Sequence, residues 1–335
     1  MGSEPTRPSA VTSADVARLA GVSRATVSFV LNDTQRSRVS AATRARVREA
    51  AEQLGYVPHA AARSLRAGRS NLVLIPASVS ALGSLLSFWV DDLHSELERH
   101  GYTSVLHAGR YPDPVTAARA WAELRPVAVL ALGGDGVGPR AADVLRRAGV
   151  RGILSFAARP SDGVHTLVFD HAHIGALAVG HLVSRGRHRI GVVMPRERGL
   201  ATFARPRLDG ARSAVAGGAA SVTPLEMAYT GASAAELARH LRTAGLDAVF
   251  AYNDEYATLL MHALRNEGVD VPGAVAVVGC DDLVPSALQQ PPLTTVRLDG
   301  PTPGQVVEVL SALVDGSDVP DVGGVRPVLV PRGSS

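Results

Sequence analysis

The chain of 335 residues contains no lysine; all 34 of its basic residues are arginine. Chemistry that needs a lysine is excluded, including the ammonium ligand that often holds a bound phosphate. Cysteine occurs once, as Cys280. No intrachain disulfide can form and no cysteine-based metal site can be assembled, which fits a cytoplasmic setting. No run of about 18 or more apolar residues is present to span a bilayer as a helix. Residues 1–10 carry Glu4 and several prolines and serines but no apolar segment, so they do not read as a secretory signal and are expected to form a disordered tail.

What is present reads as globular. Hydrophobic residues make up 46% and charged residues 19%, and the length implies two or three units, each able to bury its own core. The net charge of +3 conceals an asymmetry. Residues 1–70 hold eleven arginines against five Asp and Glu, a balance of +6, leaving 23 against 26, or −3, for the rest. A compact basic segment is the footprint expected where phosphates are neutralised, although a solvated face gives the same excess.

Local signals within that segment are dense. Thr12-Ser13-Ala14-Asp15 has the form of a capping box, and a short helix follows to Ala20. Gly21 permits a tight turn, after which Ser23 caps a second helix through Val27 and Val30 to about Asn32. Two short helices joined by a glycine turn along an apolar seam make a helix-turn-helix. A third helix begins at Ser40, buries Val47, Ala51 and Leu54, ends at Gly55, and carries Arg44, Arg46 and Arg48 outside. Pro58 then starts a short alanine-rich helix that closes at Gly68 and is too short to be stable alone.

The string from Val16 through Gly21, Val22, Ser23, Arg24, Ala25, Thr26, Val27 and Ser28 to Asn32 resembles the LacI/GalR signature. So do Leu54-Gly55-Tyr56 with Pro58, and Ala62-Arg63-Ser64-Leu65. The resemblance implies a transcription regulator, a repressor rather than an enzyme, that binds a palindromic double-stranded operator as a homodimer. Its second helix enters the major groove. Arg24 is then placed to pair with guanine, while Ala25 and Phe29 offer apolar contact to thymine methyls or sugars. Thr12, Ser23, Thr26, Ser28 and Asn32 contact phosphates or cap helices. The hinge, taken as residues 58–70, lies in the minor groove, with Leu65 wedged into the central base step, Ala61 and Ala62 at the helix pair, and His59, Arg63 and Arg66 beside the DNA.

Beyond residue 70 short apolar strands alternate with amphipathic helices. Strands are expected at 72–75, 104–107, 127–131, 152–156 and 166–169, then at 189–194, 248–252 and 275–280, with helices near 85–100, 115–124, 139–148, 171–185, 204–216, 233–244 and 254–267. This is the rhythm of two parallel-sheet lobes. The fold class expected is therefore an all-α helix-turn-helix headpiece (11–57) followed by an α/β two-lobed domain (71–335) that resembles periplasmic binding proteins. Lobe one takes roughly 71–169 and 297–325, and lobe two the remainder.

Ligands in such sheets bind beyond the carboxyl ends of strands, where Asp170, Arg207, Asn253 and Asp281 stand. Capping or surface ion pairing explains each of them equally well from the residues alone. The resemblance extends to Arg207-Leu208-Asp209-Gly210, Asn253-Asp254 and Gly279-Cys280-Asp281-Asp282, and implies a small effector between the lobes, a sugar or sugar derivative. Phe88, Phe156 and Tyr229, with Trp89 and Phe203, are candidate aromatic platforms for its ring, and a place in the core accounts for any of them as well. Cys280 and His171 depart from the tyrosine and asparagine that the family has there. No cofactor and no membrane partner is expected. The chain's end at Ser335 without a further heptad segment favours a dimer.

Two rival readings come from other classes. Leu132-Gly133-Gly134-Asp135-Gly136 resembles the phosphate-binding turn of some lipid and nicotinamide-nucleotide kinases, but no second kinase motif accompanies it. A solute-binding sensor shares the two-lobed fold, yet the headpiece argues against it. His171, His173, His181 and His188 lack metal-site spacing and are expected to be exposed or capping.

Overall fold

The computed structural model describes residues 11–31, 39–57, 70–76, 83–133 and 137–335. Two compact units divide between Ser70 and Asn71. The expected tail, Asn32, the hinge residues His59, Ala61, Ala62, Arg63, Leu65 and Arg66, and Gly134-Asp135-Gly136 lie outside the described residues.

The first unit holds α1 (Ser13–Ala20), α2 (Arg24–Leu31) and α3 (Ala41–Gln53). Short polar side chains start each one. The Asp15 carboxylate turns back to accept the Thr12 N–H at 3.0 Å and its hydroxyl at 2.7 Å. Ser23 Oγ accepts from the Thr26 N–H at 3.1 Å, and Ser40 Oγ from that of Thr43 at 3.2 Å, satisfying donors that helix geometry leaves open. Gly21 closes α1 at φ 64°, a left-handed conformation that costs a side-chain-bearing residue energy. Val16, Ala17 and Ala20 then meet Val27, Val30, Val47, Ala50 and Ala51 in one small core.

The second unit has two lobes. In the first, β1 (Leu72–Pro76), β2 (Thr103–His107), β3 (Ala128–Leu132), β4 (Gly152–Ala157) and β5 (His165–Val168) form a parallel sheet in the order β2-β1-β3-β4-β5. Around it lie α4 (Ser84–Arg99), α5 (Pro114–Glu123) and α6 (Pro139–Arg147). Every residue of β3 is buried, as a central parallel strand covered on both faces requires. The second lobe orders β6 (Arg189–Pro195), β7 (Ser221–Met227), β8 (Ala248–Phe250) and β9 (Ala276–Val278) as β7-β6-β8-β9. Its helices are α7 (His171–Ser184), α8 (Ala201–Val215), α9 (Gly231–Ala244) and α10 (Asp254–Asn266). No helix of the described residues is long and apolar enough to cross a membrane.

Three features go beyond the expected pattern. Strand β7, with Pro224 at its centre, sits at a sheet edge and is buried only at Leu225 and Met227. An antiparallel pair, β10 (Thr295–Asp299) and β11 (Arg326–Val330), joins segments far apart in sequence. Helix α11 (Pro303–Asp315) lies between them in sequence and returns to the first lobe, where Val306, Val307, Leu310 and Val314 pack with Val73, Leu93 and Leu97. The chain therefore crosses between lobes at β5–α7, at β10 and again at β11.

The tightest packing in the unit is between α7 and α8. A Cβ on Gly175 would stand 1.8 Å from the carbonyl oxygen of Arg207, and one on Gly210 would stand 1.8 Å from that of Ala172. The two backbones touch, each through the other's glycine, and no side-chain rotation can relieve an added methyl. Either Gly175→Ala or Gly210→Ala is expected to lower the unfolding free energy by about 3 kcal/mol. Chemical denaturation checks this; a loss below about 1 kcal/mol, the ordinary size of a point-mutant effect, would show that the crossing yields.

Candidate functional site

Helix α2 turns Val27 and Val30 into the core and leaves Arg24 and Ala25 exposed, with Phe29 48% exposed one turn on. Those three share the outward face, as a helical period of 3.6 residues dictates. Ser23 and Thr26 are engaged with each other, hydroxyl to hydroxyl at 2.9 Å, at the helix start. Thr12 is exposed beside its own cap, and Ser28 is half-buried.

Between the lobes of the second unit lies a cavity of about 550 Å³. One wall comes from the first lobe: Leu86 and Trp89 on α4, Leu132 at the end of β3, and Phe156 on β4. Trp89 meets Phe156 edge-on, with centroids 5.7 Å apart. The facing wall carries Phe203, Arg207, Tyr229, Tyr252, Asn253, Tyr256 and Asp281. Ser84 Oγ, at the start of α4, donates to Glu255 Oε1 at 2.6 Å and so ties the two lobes at the rim.

The second-lobe residues sit where strands end. Tyr252 and Asn253 follow β8, and Asn253 Oδ1 caps α10 by accepting the Tyr256 N–H at 3.0 Å while still lining the cavity. The capping and ligand-facing roles are thus compatible. Arg207 is buried, donates to the Tyr252 carbonyl, and stacks its guanidinium 4.7 Å from the centre of the Tyr252 ring. Its Nε has no partner, and neither ring nitrogen of His171 has one. Glu197, beyond β6, accepts from the Tyr229 N–H at 2.7 Å and from the Tyr256 hydroxyl.

Asp281 adopts φ 108°, a conformation rarely taken by a residue with a side chain. It is held there by its own N–H, which donates to the Val296 carbonyl at 2.8 Å. Burial pushes its carboxyl up to about 7, with the nearby Arg207 pulling the other way. His171 is driven well below its ordinary value by burial and then by Arg207, so the imidazole is neutral.

Several expectations are corrected by this geometry. Asp170 does not line the cavity; its carboxylate caps α7, accepting from the Ala172 N–H at 2.9 Å. Phe88 is 72% exposed, because one residue along a helix turns a side chain by about 100°, and its neighbour Trp89 takes the inward place. His171 is neither exposed nor capping but part of the cavity wall, between Phe169 at 4.0 Å and Phe203 at 5.2 Å. His181 pairs with the Ser335 hydroxyl at 2.9 Å, and no metal-holding cluster occurs among the described residues. Gly133, at φ +90°, lies where an added Cβ would stand 2.4 Å from Phe203, so close packing accounts for that glycine. Glu197, Tyr252, Tyr256 and Glu255 were not anticipated, although the strand-end rule that selected Asp281 also points to Glu197 and Tyr252.

The raised Asp281 carboxyl has a pH signature. Between its ordinary value of 3.8 and about 7 the folded state binds a proton that the unfolded chain releases. Its contribution to stability is therefore full at low pH and lost as pH rises through 7. His171 acts in the opposite sense, contributing stability above 6.5 that is lost on acidification, so the informative quantity is the difference from Asp281→Asn. That variant should gain on the wild type in unfolding free energy between about pH 4 and about pH 7 and keep that gain above it. A difference that stays constant would contradict the assignment.

Residues 12–59 match the model for bacterial regulatory proteins of the lacI family, and residues 179–335 match a periplasmic binding protein-like domain. The Escherichia coli K12 HTH-type transcriptional regulator GalR is 30% identical over 96% of this chain and 94% of its own length. The ribose operon repressor of the same strain is 31% identical over 96% and 98%. Among solved structures, a lac repressor dimer bound to operator and the anti-inducer ONPF superposes with a TM-score of 0.75 at 27% identity, covering 97% of this chain and 99% of that one. These relatives are regulators, not enzymes. With a capped helix-turn-helix, a two-lobed parallel-sheet unit around a cavity, and relatives matched along nearly its whole length, the chain belongs to the lacI family of bacterial transcription regulators.

Proposed function

We propose that the protein is a repressor that binds a palindromic operator as a homodimer and is controlled by a small molecule in the interlobe cavity. The observation that carries the ligand half is the buried Arg207 and the half-buried Asp281 facing one aromatic-walled cavity. Arg207, Asn253 and Asp281 hold the ligand's polar groups, and Phe156 and Tyr229 flank its ring. A sugar or sugar derivative is the class the resemblance implies. Occupancy changes the relative stability of lobe arrangements and, through linkage, operator affinity. The protein acts in the cytoplasm, on the nucleoid.

For the DNA half, the exposed face of α2 supplies base contacts, with Arg24 reading guanine and Ala25 and Phe29 meeting apolar base edges. Thr12, Ser23, Thr26, Ser28 and Asn32 hold phosphates and cap ends. His59, Ala61, Ala62, Arg63, Leu65 and Arg66 form the minor-groove segment. Dimerisation uses large apolar side chains left at the surface of both lobes: Phe88 on α4, and Val284 and Leu288, 81% and 77% exposed, after β9.

Genome-wide binding-site mapping followed by gel shift on the recovered sequence tests the proposal. A palindrome is expected, with Arg24→Ala costing about 1–3 kcal/mol of discrimination at one base pair of each half-site. An asymmetric site would count against the dimer. Leu288→Glu combined with Phe88→Glu should yield a monomer by sedimentation, and a double variant that remains dimeric would remove those surfaces from the interface.

A further inference from the structure

The polar end of the cavity contains more hydrogen-bonding capacity than the protein itself uses. Both ring nitrogens of His171 and the Nε of Arg207 are buried without a partner. Each such atom has given up water for nothing, which folded proteins rarely tolerate in a native interior. These two side chains are also the ones that the glycine crossing forces together, since His171 opens α7 and Arg207 lies at the point where α8 touches it. Packing with no slack holds polar atoms with no partner, beside an open cavity that both residues line.

We infer that His171 is a ligand-binding residue, and that with Arg207 and Asp281 it selects an uncharged ring carrying adjacent hydroxyls over acidic or phosphorylated compounds. The inference rests on the cavity being the effector site. A hydroxyl both donates and accepts, so one can accept from Arg207 Nε–H while donating to Asp281. Its neighbour meets the imidazole, which as a neutral ring offers one donor and one acceptor. Both ring nitrogens are closed off in the ligand-free structure, so binding requires the ring to turn about Cβ–Cγ and present one of them to the cavity it borders. An ionised carboxylate or phosphate group in the same place supplies acceptors alone. It would also face Glu197, Glu255 and Asp281, with Arg207 as the one lining guanidinium among the described residues, across a space where low dielectric strengthens repulsion. Trp89, Phe156 and Tyr252 offer flat faces to the apolar sides of a ring.

The test uses the full chain and variants His171→Phe and His171→Asn. Trp89 fluorescence, in a Trp121→Phe background, is titrated with matched probes: glucose, glucose 6-phosphate and gluconate; ribose and ribose 5-phosphate; galactose and galacturonate. A neutral member should bind at least about tenfold more tightly than its anionic partners, a factor the loss of one hydrogen bond readily supplies. His171→Phe fits among Phe169 and Phe203 but has no ring nitrogen. It should raise the thermal midpoint of the ligand-free protein by a few degrees while weakening that sugar at least about tenfold. His171→Asn, which keeps a donor and an acceptor, should retain binding within about tenfold of wild type.

A purely structural role for His171 predicts the reverse: a lower midpoint for His171→Phe and unchanged affinity. That outcome overturns the inference, as does failure of every neutral probe. If an anionic probe binds best and alters operator affinity, the effector reading stands and this one falls. If a neutral sugar binds through His171 without any change in operator affinity, the effector reading falls and the assignment of His171 stands.

Discussion

Two α-helices approach backbone to backbone only where one of them lacks a side chain, and α7 and α8 do so reciprocally, Gly175 against Arg207 and Gly210 against Ala172. This contact fixes more than a core. It places the first residue of α7 and a mid-helix residue of α8 side by side at the mouth of the second sheet. A longer interaxial distance would bring side chains between the helices and draw His171 and Arg207 apart. The chemistry of the cavity thus depends on two positions that carry no chemistry themselves.

The opposite shore of the polar cluster is held by a different device. Asp281 stands at positive φ, followed by Asp282 at φ 53°, and the strain is contained by a network around Asp254. That buried carboxylate accepts from the hydroxyls of Ser286 and Thr295, each at 2.6 Å, and from the Leu283 N–H at 2.9 Å. Asp282 is fixed by Arg332 at 2.5 Å. Of these three acidic side chains, then, Asp254 and Asp282 hold the loop while Asp281 faces the cavity. Because Thr295 begins β10, one of the strands by which the chain passes between lobes, the loop that aims Asp281 is tied to the crossing itself. Motion of one lobe against the other is therefore expected to be felt at this carboxylate.

Much of this was readable in the sequence, and unevenly so. The caps at Thr12, Ser23 and Ser40 are local signals whose meaning does not depend on the rest of the chain, and their helices begin where those residues say. Central strands announce themselves as short apolar runs. Edge strand β7 and the pair β10–β11 do not, since partial burial and distant pairing leave no local trace. Helix α11 was legible but passed over: Thr302 and Gln305 form a capping box at its start. At the site, strand ends located Asp281 and Asn253 but also selected Asp170, where the same position serves as a helix cap. Phe88 and Trp89 could not be separated without the phase of α4. His171 was expected to be exposed or capping, because a histidine in sequence says nothing of its role until its neighbours are known to leave its nitrogens unpaired.

In the proposed function, occupancy of the cavity and affinity for DNA are thermodynamically linked. The most direct measurement is operator binding by fluorescence anisotropy at fixed salt, with no effector and with saturating effector, paired with effector titration in the absence and presence of operator. Linkage requires a change of roughly fivefold or more in operator affinity, in either direction, and the same factor in effector affinity when DNA is bound. Operator affinity that is identical with the cavity empty and full would contradict it.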